Sequence, residues 1–415
     1  MKHDIPFARP FIGETEEAAA LRVLRSGWLT TGAEALAFEK EFREFLQSHG
    51  GDAANSGLHC LAVNSATSGL HLALEACGVQ SGDLVLVPSY TFTSTAEVVR
   101  YLGADPVFVD VAPGTFHINP QALEKTLESL KPLRASGKIP KAVIPVHYGG
   151  LPCDMSAIMD IARRHNLKVI EDAAHSFPSL LPAGIAGESD MAGNSPAWAG
   201  AIGDVGVFSF YATKTITTGE GGMVVCKDAA IARRISVMRS HGIDRNVWNR
   251  YTDTTASWYY EVVEAGFKYN LPDLLAAVGR SQLERAWELL RMRQEIAAAY
   301  DAAFANNEHF LLPPTGVGDA RHLYPLRLNL PRLRISRNDF IQKLKEQGIG
   351  VSVHFIPLHI MPFYKNRYRL AEEDFPETMK SFRQEISLPI WPGMTAAQVE
   401  QVITVVKSVA GEYTV

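Results

Sequence analysis

Between residues 60 and 226, short β-branched apolar runs alternate with stretches of helical period, and this alternation limits the possible fold more than any other feature of the chain. The runs are Cys60–Val63, Leu84–Val87, Val107–Val109, Ala142–Val146, Lys168–Ile170, Val205–Phe210 and Met223–Cys226. Helical spacing separates them, as in Leu70, Ala73, Leu74 and Cys77, and again in Met155, Ile158, Met159 and Ala162. Strands that are apolar on both faces need helices on both sides, so the pattern predicts an α/β fold with a mainly parallel sheet. The last run follows Gly219–Gly222 and is equally compatible with an antiparallel return strand.

Two amphipathic helices are expected before this region. One spans Glu14–Ser26 and stops at Gly27; the other spans Ala35–Leu46, with Ala35, Phe38, Phe42, Phe45 and Leu46 on one face. After it comes a long helical pattern from about Pro272 to Phe304, broken only weakly, then a strand-like run Tyr324–Leu330, a helix Arg337–Gln347 and a final helix carrying Val399, Val402, Ile403 and Val406. The expected division is an N-terminal arm with a large domain over 1–271, then a linking helix with a smaller α+β domain over 272–415. Leu181–Gly203, rich in Gly, Ala, Ser and Pro, reads as a long surface excursion and a candidate lid.

With 415 residues and 47% hydrophobic content, the chain can build both cores. Its net charge of −5 gives no global positive field of the kind a nucleic-acid partner requires. No segment approaches ~18 uninterrupted apolar residues, and the start MKHDIPFARP lacks the apolar core of a signal peptide. A cytoplasmic protein without membrane or nucleic-acid partners is expected. Cys60, Cys77, Cys153 and Cys226 form no CxxC pair, which points to buried reduced thiols and no metal site.

Three motifs carry chemistry. Asn64-Ser65-Ala66-Thr67-Ser68-Gly69-Leu70-His71 sits between a strand and a helix, where small residues and helix amides cradle an anion and Thr67 and Ser68 add hydroxyls. An ordinary N-cap explains the same residues equally well. Glu171-Asp172-Ala173-Ala174-His175 puts Asp172 at the carboxyl end of a buried strand, where α/β sheets collect ligands. Asp172 is suited to a cationic ring nitrogen with His175 as its orienter; a helix cap and a structural histidine are the plain alternatives. Phe208-Ser209-Phe210-Tyr211-Ala212-Thr213-Lys214-Thr215 places Lys214 just past an apolar strand, where desolvation and nearby positive charge would make it nucleophilic. Ser209 stands within reach of a phosphate. A lone lysine in such a turn is more often structural; the ordered set of phosphate cradle, strand-end Asp, Ser and Lys changes that reading.

With these motifs in this order, the chain resembles the DegT/DnrJ/EryC1/StrS family of pyridoxal-phosphate-dependent sugar aminotransferases over nearly its whole length. The likeness runs from Gly27–Gly32 (GWLTTG) through GDLVLVPSYTFTST, GADPVFVDV, VHYGG, EDAAH, FSFYATK and GEGGMVV to His354–His359 (HFIPLH). The resemblance implies a fold-type-I transferase that binds pyridoxal 5'-phosphate covalently through Lys214, which also shuttles the proton between two half-reactions. Asp172 would pair with the pyridine nitrogen, Phe92 would stack on the ring, and Thr67, Ser68 and Ser209 would hold the phosphate. Asn270 would reach the partner's phosphate across a homodimer interface, giving shared active sites, and His354 and His359 would lie near the substrate. GFKYNLPD resembles the version found in UDP-4-keto-sugar aminotransferases of surface-polysaccharide and lipid A pathways, with L-glutamate as the implied amino donor. Leu181–Gly203 departs from the family by about a dozen extra residues, within ordinary loop variation.

Three other readings compete with transamination. In related sugar dehydratases a histidine typically replaces the lysine, so Lys214 speaks for amine transfer. A non-catalytic binding protein would be expected to lack one of Asp172, Ser209 or Lys214. A nicotinamide enzyme is disfavoured because Gly219-Glu220-Gly221-Gly222 lacks GxGxxG spacing. Arg239 and Arg245 either contact a substrate diphosphate or are solvated surface residues.

Overall fold

The computed structural model describes residues 5–49, 57–132, 137–182, 196–244 and 259–415. In chain order the elements are α1 (Glu14–Ser26), α2 (Ala33–His49), β1 (His59–Val63), α3 (Ala66–Ala76), β2 (Leu84–Pro88), α4 (Ser94–Tyr101), β3 (Asp105–Val109), α5 (Pro120–Leu130) and β4 (Pro140–Val143). There follow α6 (Met155–His165), β5 (Lys168–Asp172), β6 (Leu180–Leu181), β7 (Ala197–Trp198), β8 (Val205–Ser209), β9 (Gly222–Cys226) and α7 (Ala229–Met238). The chain continues with α8 (Asp273–Glu284), α9 (Ala286–Phe304), β10 (Phe310–Leu311), β11 (Tyr324–Leu328) and α10 (Arg337–Glu346). It closes with α11 (Pro362–Tyr368), α12 (Pro376–Gln384), β12 (Glu385–Leu388) and α13 (Ala396–Glu412).

Helix α1 ends where Gly27 adopts φ 75°, a conformation that costs glycine little because it has no Cβ. The start of α2 is held from far along the chain. The Asp273 carboxylate accepts the amides of Gly32 (2.6 Å), Glu34 (3.2 Å) and Ala35 (3.0 Å).

Seven strands form the main sheet in the order β1-β9-β8-β5-β4-β2-β3. The pairs β2–β3, β2–β4, β4–β5 and β5–β8 are parallel. Strand β9 runs antiparallel to both β8 and β1. The connection from β8 to β9 contains no helix, so it can only return the chain antiparallel. Helices cover both faces as the apolar strands require. Val85 and Val87 face a cluster with Leu70, Leu72, Val98 and Ile235, while Leu86 faces one with Leu123, Leu127, Ile158 and Ile161. A separate three-stranded sheet, β10-β11-β12, packs on α9, α10 and α13. The handover between cores falls inside α9: Ala286 and Leu289 pack with Phe38 and Phe42, whereas Ile296, Tyr300 and Phe304 pack with the smaller sheet.

Three expectations change. The run Ala142–Val146 yields a ladder strand only to Val143, because Pro145 cannot donate; Val146 keeps an isolated bridge to Asp172. The pattern over 272–304 is two helices, with Arg285 non-helical at φ −106° and ψ 8° between them. The excursion Leu181–Gly203 is not wholly a surface loop. Strand β7 pairs with β6, Trp198 is 0% exposed, and its indole N–H donates to Leu46 O at 2.8 Å. Buried Glu171 accepts the amides of Gly200 (2.8 Å), Ile202 (2.7 Å) and Gly203 (2.7 Å), so this turn-rich stretch satisfies its backbone inside the protein. Residues 183–195 lie outside the described residues.

The same turn makes a stability prediction. A Cβ at Gly206 would stand 1.9 Å from Gly200 O. Gly206→Ala should therefore cost roughly 1–3 kcal/mol through overpacking, read as a lowered denaturant midpoint at unchanged slope. All four cysteines are buried and free. Among the described residues, no helix is long and apolar enough to cross a membrane.

Candidate active site

The carboxyl ends of β1, β2, β5 and β8 open into a cavity of about 570 Å³ whose far wall comes from segments flanking the smaller sheet, including His322, His354 and Ile390. Asp172 is the last residue of β5. Its Oδ2 accepts the Thr95 hydroxyl at 2.8 Å and its Oδ1 accepts the Ala174 amide at 3.2 Å. No helix begins there, so the capping alternative falls away. Burial raises the carboxyl above its usual range, against the pull of Thr95, Ala174 and Lys214.

Lys214 lies in the turn after β8, where its amide donates to Tyr211 O at 2.9 Å. Desolvation inside the cavity lowers its amine to about 7; Asp172 opposes this and Arg293 reinforces it. Its Nζ stands 3.4 Å from His322 Nε2. The His322 ring lies 4.5 Å from that of His175. His175 Nδ1 accepts the Gly149 amide at 3.2 Å, which puts the proton of the neutral ring on Nε2. Burial and the Lys214 charge hold both imidazoles well below their ordinary pKa.

At the start of α3, Ser65 Oγ accepts the Ser68 amide at 3.1 Å, so an N-cap is present as well as a cradle. Ser65, Ala66 and Thr67 line the cavity. Ser68 does not: its hydroxyl donates to Ser65 O at 2.7 Å, because one turn into the helix the side chain bonds back to the backbone. Ser209 lines the cavity beside them. A Cβ at Gly222 would come within 2.9 Å of Ala66 N, so a side chain there would crowd the helix start. Backbone amides, Thr67 and Ser209 fit a phosphate. Phe92, 53% exposed, stands at the cavity with its ring 5.6 Å from Phe355 and offers a face to a flat heterocycle. These residues, with Asp172 and Lys214, are a donor set that fits pyridoxal phosphate.

The remaining candidates divide. His354 lines the cavity, with Nδ1 2.8 Å from Ser387 Oγ and its amide 3.1 Å from Glu385 Oε2. Burial pushes the Glu385 carboxyl up to about 8. His359 is not brought to the site. The short turn Leu358–Ile360 aims it inward, where its ring stacks on Phe375 at 4.3 Å. Asn270 is outside this chain's cavity lining and donates to Thr31 Oγ1 at 2.6 Å. Arg239 is neither a diphosphate contact nor a solvated residue; it is buried, paired with Glu39 and bonded to Ala62 O at 2.7 Å. Arg245 lies outside the described residues.

Sequence reasoning missed Ser65, Thr95, His322 and Arg293. Ser65 was legible as an N-cap and Thr95 as a hydroxyl in the SYTFTST run. Nothing around Arg321-His322-Leu323 announces a site residue; only the pairing of β11 in the second sheet delivers it.

The DegT/DnrJ/EryC1/StrS aminotransferase family matches residues 10–407. The chain is 42% identical over 410 residues to the uncharacterized protein MJ1066 of Methanocaldococcus jannaschii, covering 98% of each. It is 39% identical to the spore coat polysaccharide biosynthesis protein SpsC of Bacillus subtilis, covering 98% of this chain and 97% of that one. Among solved structures it is similar to the putative sugar aminotransferase Spr1654 of Streptococcus pneumoniae in its PMP form, with TM-score 0.84, 28% identity, and coverage of 99% of this chain and 100% of that one. The PLP form of that protein superposes with TM-score 0.83.

Proposed function

The chain belongs to the DegT/DnrJ/EryC1/StrS aminotransferase family and is a pyridoxal-phosphate-dependent sugar aminotransferase of the fold-type-I class, and from that premise we propose that it aminates a nucleotide-linked 4-keto sugar, carried on UDP, with L-glutamate as donor. The observation that carries this reading is the convergence of Lys214, Asp172 and the anion cradle of Ser65–Thr67 and Ser209 on one cavity. The UDP assignment draws on the GFKYNLPD stretch, and a role in surface-polysaccharide synthesis draws on the name of the Bacillus subtilis relative. When bound, the cofactor supplies the electron sink and carries the amino group from donor to sugar. Lys214 would hold the cofactor by its amine and would move a proton when free; Asp172 would serve the ring nitrogen, and Thr67 and Ser209 would fix the phosphate end. The neutral rings of His175 and His322 stand beside Lys214 without adding a cation. His354 belongs to the substrate side.

The protein acts in the cytoplasm as a homodimer in which Asn270 serves the partner's phosphate site, consistent with its place outside its own cavity. The division at 271/272 is part of the same proposal, with α8 packed on the large lobe and α9 shared between the two. Lys214 favours transamination over dehydration. The test is an absorbance spectrum before and after L-glutamate, followed by UDP- and dTDP-4-keto sugars with mass analysis of products. A band at the visible edge should shift to shorter wavelength with glutamate, and only the UDP substrate should return it while yielding an amino sugar. A deoxy sugar without amine, or no lysine-bound band in the reconstituted protein, would overturn the proposal.

A further inference from the structure

Arg293, midway along α9, is a buried cation without an anion. It is 2% exposed, and among the described residues no carboxylate pairs with it. Burial draws its pKa down to about 9, which leaves it charged at neutral pH. Its Nη1 donates to His322 O (3.1 Å) and Ile390 O (2.7 Å), its Nη2 to Thr213 O (3.0 Å), and its Nε has no partner. An interior guanidinium held only by neutral carbonyls is a poor way to gain stability, since desolvating the charge is costly and no counter-charge offsets it. The three carbonyls have one thing in common: Thr213, His322 and Ile390 all line the active-site cavity. They come from three separate segments: the turn after β8, the approach to β11 and the exit from β12. Thr213 immediately precedes Lys214, and the His322 ring stands 3.4 Å from its amine.

We propose that Arg293 is a positioning residue for the reaction: it clamps the Lys214 turn to the smaller sheet and sets a permanent positive charge behind the amine, favouring its nucleophilic form. This rests on the reading of Lys214 as the cofactor lysine. The charged groups acting on Lys214 are few. Asp172 favours the ammonium, and enclosure and Arg293 disfavour it. His175, His322 and His354 surround the amine but stay neutral, each pushed down by burial and by the Lys214 charge itself. Without Arg293, the nearby carboxylate would act on the amine with no permanent cation to oppose it and would favour an ion pair unable to attack an aldehyde.

The experiment measures the modification rate of Lys214 against pH in cofactor-free protein, using trinitrobenzenesulfonate and peptide mass spectrometry. Wild-type protein should show a midpoint near 7. Arg293→Met should move it up by about one pH unit, the size of a nearby-charge effect. In the reconstituted enzyme, its glutamate half-reaction should slow about tenfold at neutral pH and recover as pH rises. A merely structural role would slow the reaction equally at all pH. Arg293→Lys keeps the charge and should keep the midpoint. Arg293→Gln keeps hydrogen-bond donors without charge, so it should shift like Met and carries the test where Met does not fold. A folded Met or Gln variant with the wild-type midpoint overturns the proposal. A wild-type midpoint at the ordinary lysine value would instead overturn the reading of Lys214.

Discussion

Lys214→Ala should lose turnover by at least ~10⁴-fold, since one side chain supplies both the covalent anchor and the proton transfer. The fold should be unharmed. The hydrogen bond to Tyr211 O belongs to the backbone, and the side chain's one hydrogen bond among the described residues, to His322 at 3.4 Å, is long. The pH dependence of stability gives an independent check. In the folded cofactor-free protein the amine titrates near 7 instead of at its ordinary 10.5, so between those values the unfolded state binds more protons. Wild-type stability should therefore gain a contribution as pH rises through that window and lose it as pH falls, and the Ala variant should lack this slope. The phosphate cradle, Phe92 and Asp172 remain, so the variant should still bind the amine form of the cofactor. Substantial catalytic turnover by a folded Lys214→Ala protein would remove Lys214 from the chemistry.

What the sequence made legible is whatever its local pattern determines. Asp172 and Lys214 follow apolar runs that can only be buried strands, Ser209 lies at the end of one, and the carboxyl end of such a strand is where a ligand sits. The main sheet followed from the same runs, including the option of the antiparallel β9. Side-chain direction within a motif was not legible. Ser65 and Ser68 are both serines at a helix start, yet the cap lines the cavity and the other bonds back to Ser65 O. His354 and His359 share one six-residue motif, but a short turn sends the second into the core beside Phe375. The turn 196–203 has the composition of a surface loop and becomes interior because Glu171, a distant buried carboxylate, accepts three of its amides. Arg293 and His322 were invisible for a related reason: each owes its role to carbonyls or rings far away in the chain.

Asp172→Asn should reduce turnover by on the order of 10²–10³-fold, the usual loss when one preorganised charge is removed from a reacting centre. Asn is nearly isosteric, and the surroundings can accommodate its amide. Thr95 Oγ1 lies 2.8 Å from Thr91 Oγ1, and either can donate, so Thr95 can turn round to donate to Thr91 while accepting from Asn. What Asn cannot supply is the negative charge that keeps the cofactor's ring nitrogen protonated. Stability should move the other way. Burial raises the Asp172 pKa above the ordinary carboxylate range, so the folded protein favours the neutral carboxyl. Its contribution is present below the unfolded value and lost as pH rises through the folded one, so at neutral pH the burial of this carboxyl costs the cofactor-free wild type stability. The Asn variant should therefore unfold at higher denaturant near neutral pH than wild type, and the difference should vanish in acid. Removing Asp172 also removes the negative charge that favours the Lys214 ammonium, so the Lys214 modification midpoint should fall below its wild-type value of about 7, opposite to the shift expected for Arg293→Met. Full turnover in the Asn variant, or a midpoint that rises, would show that the carboxylate faces neither the ring nitrogen nor the amine.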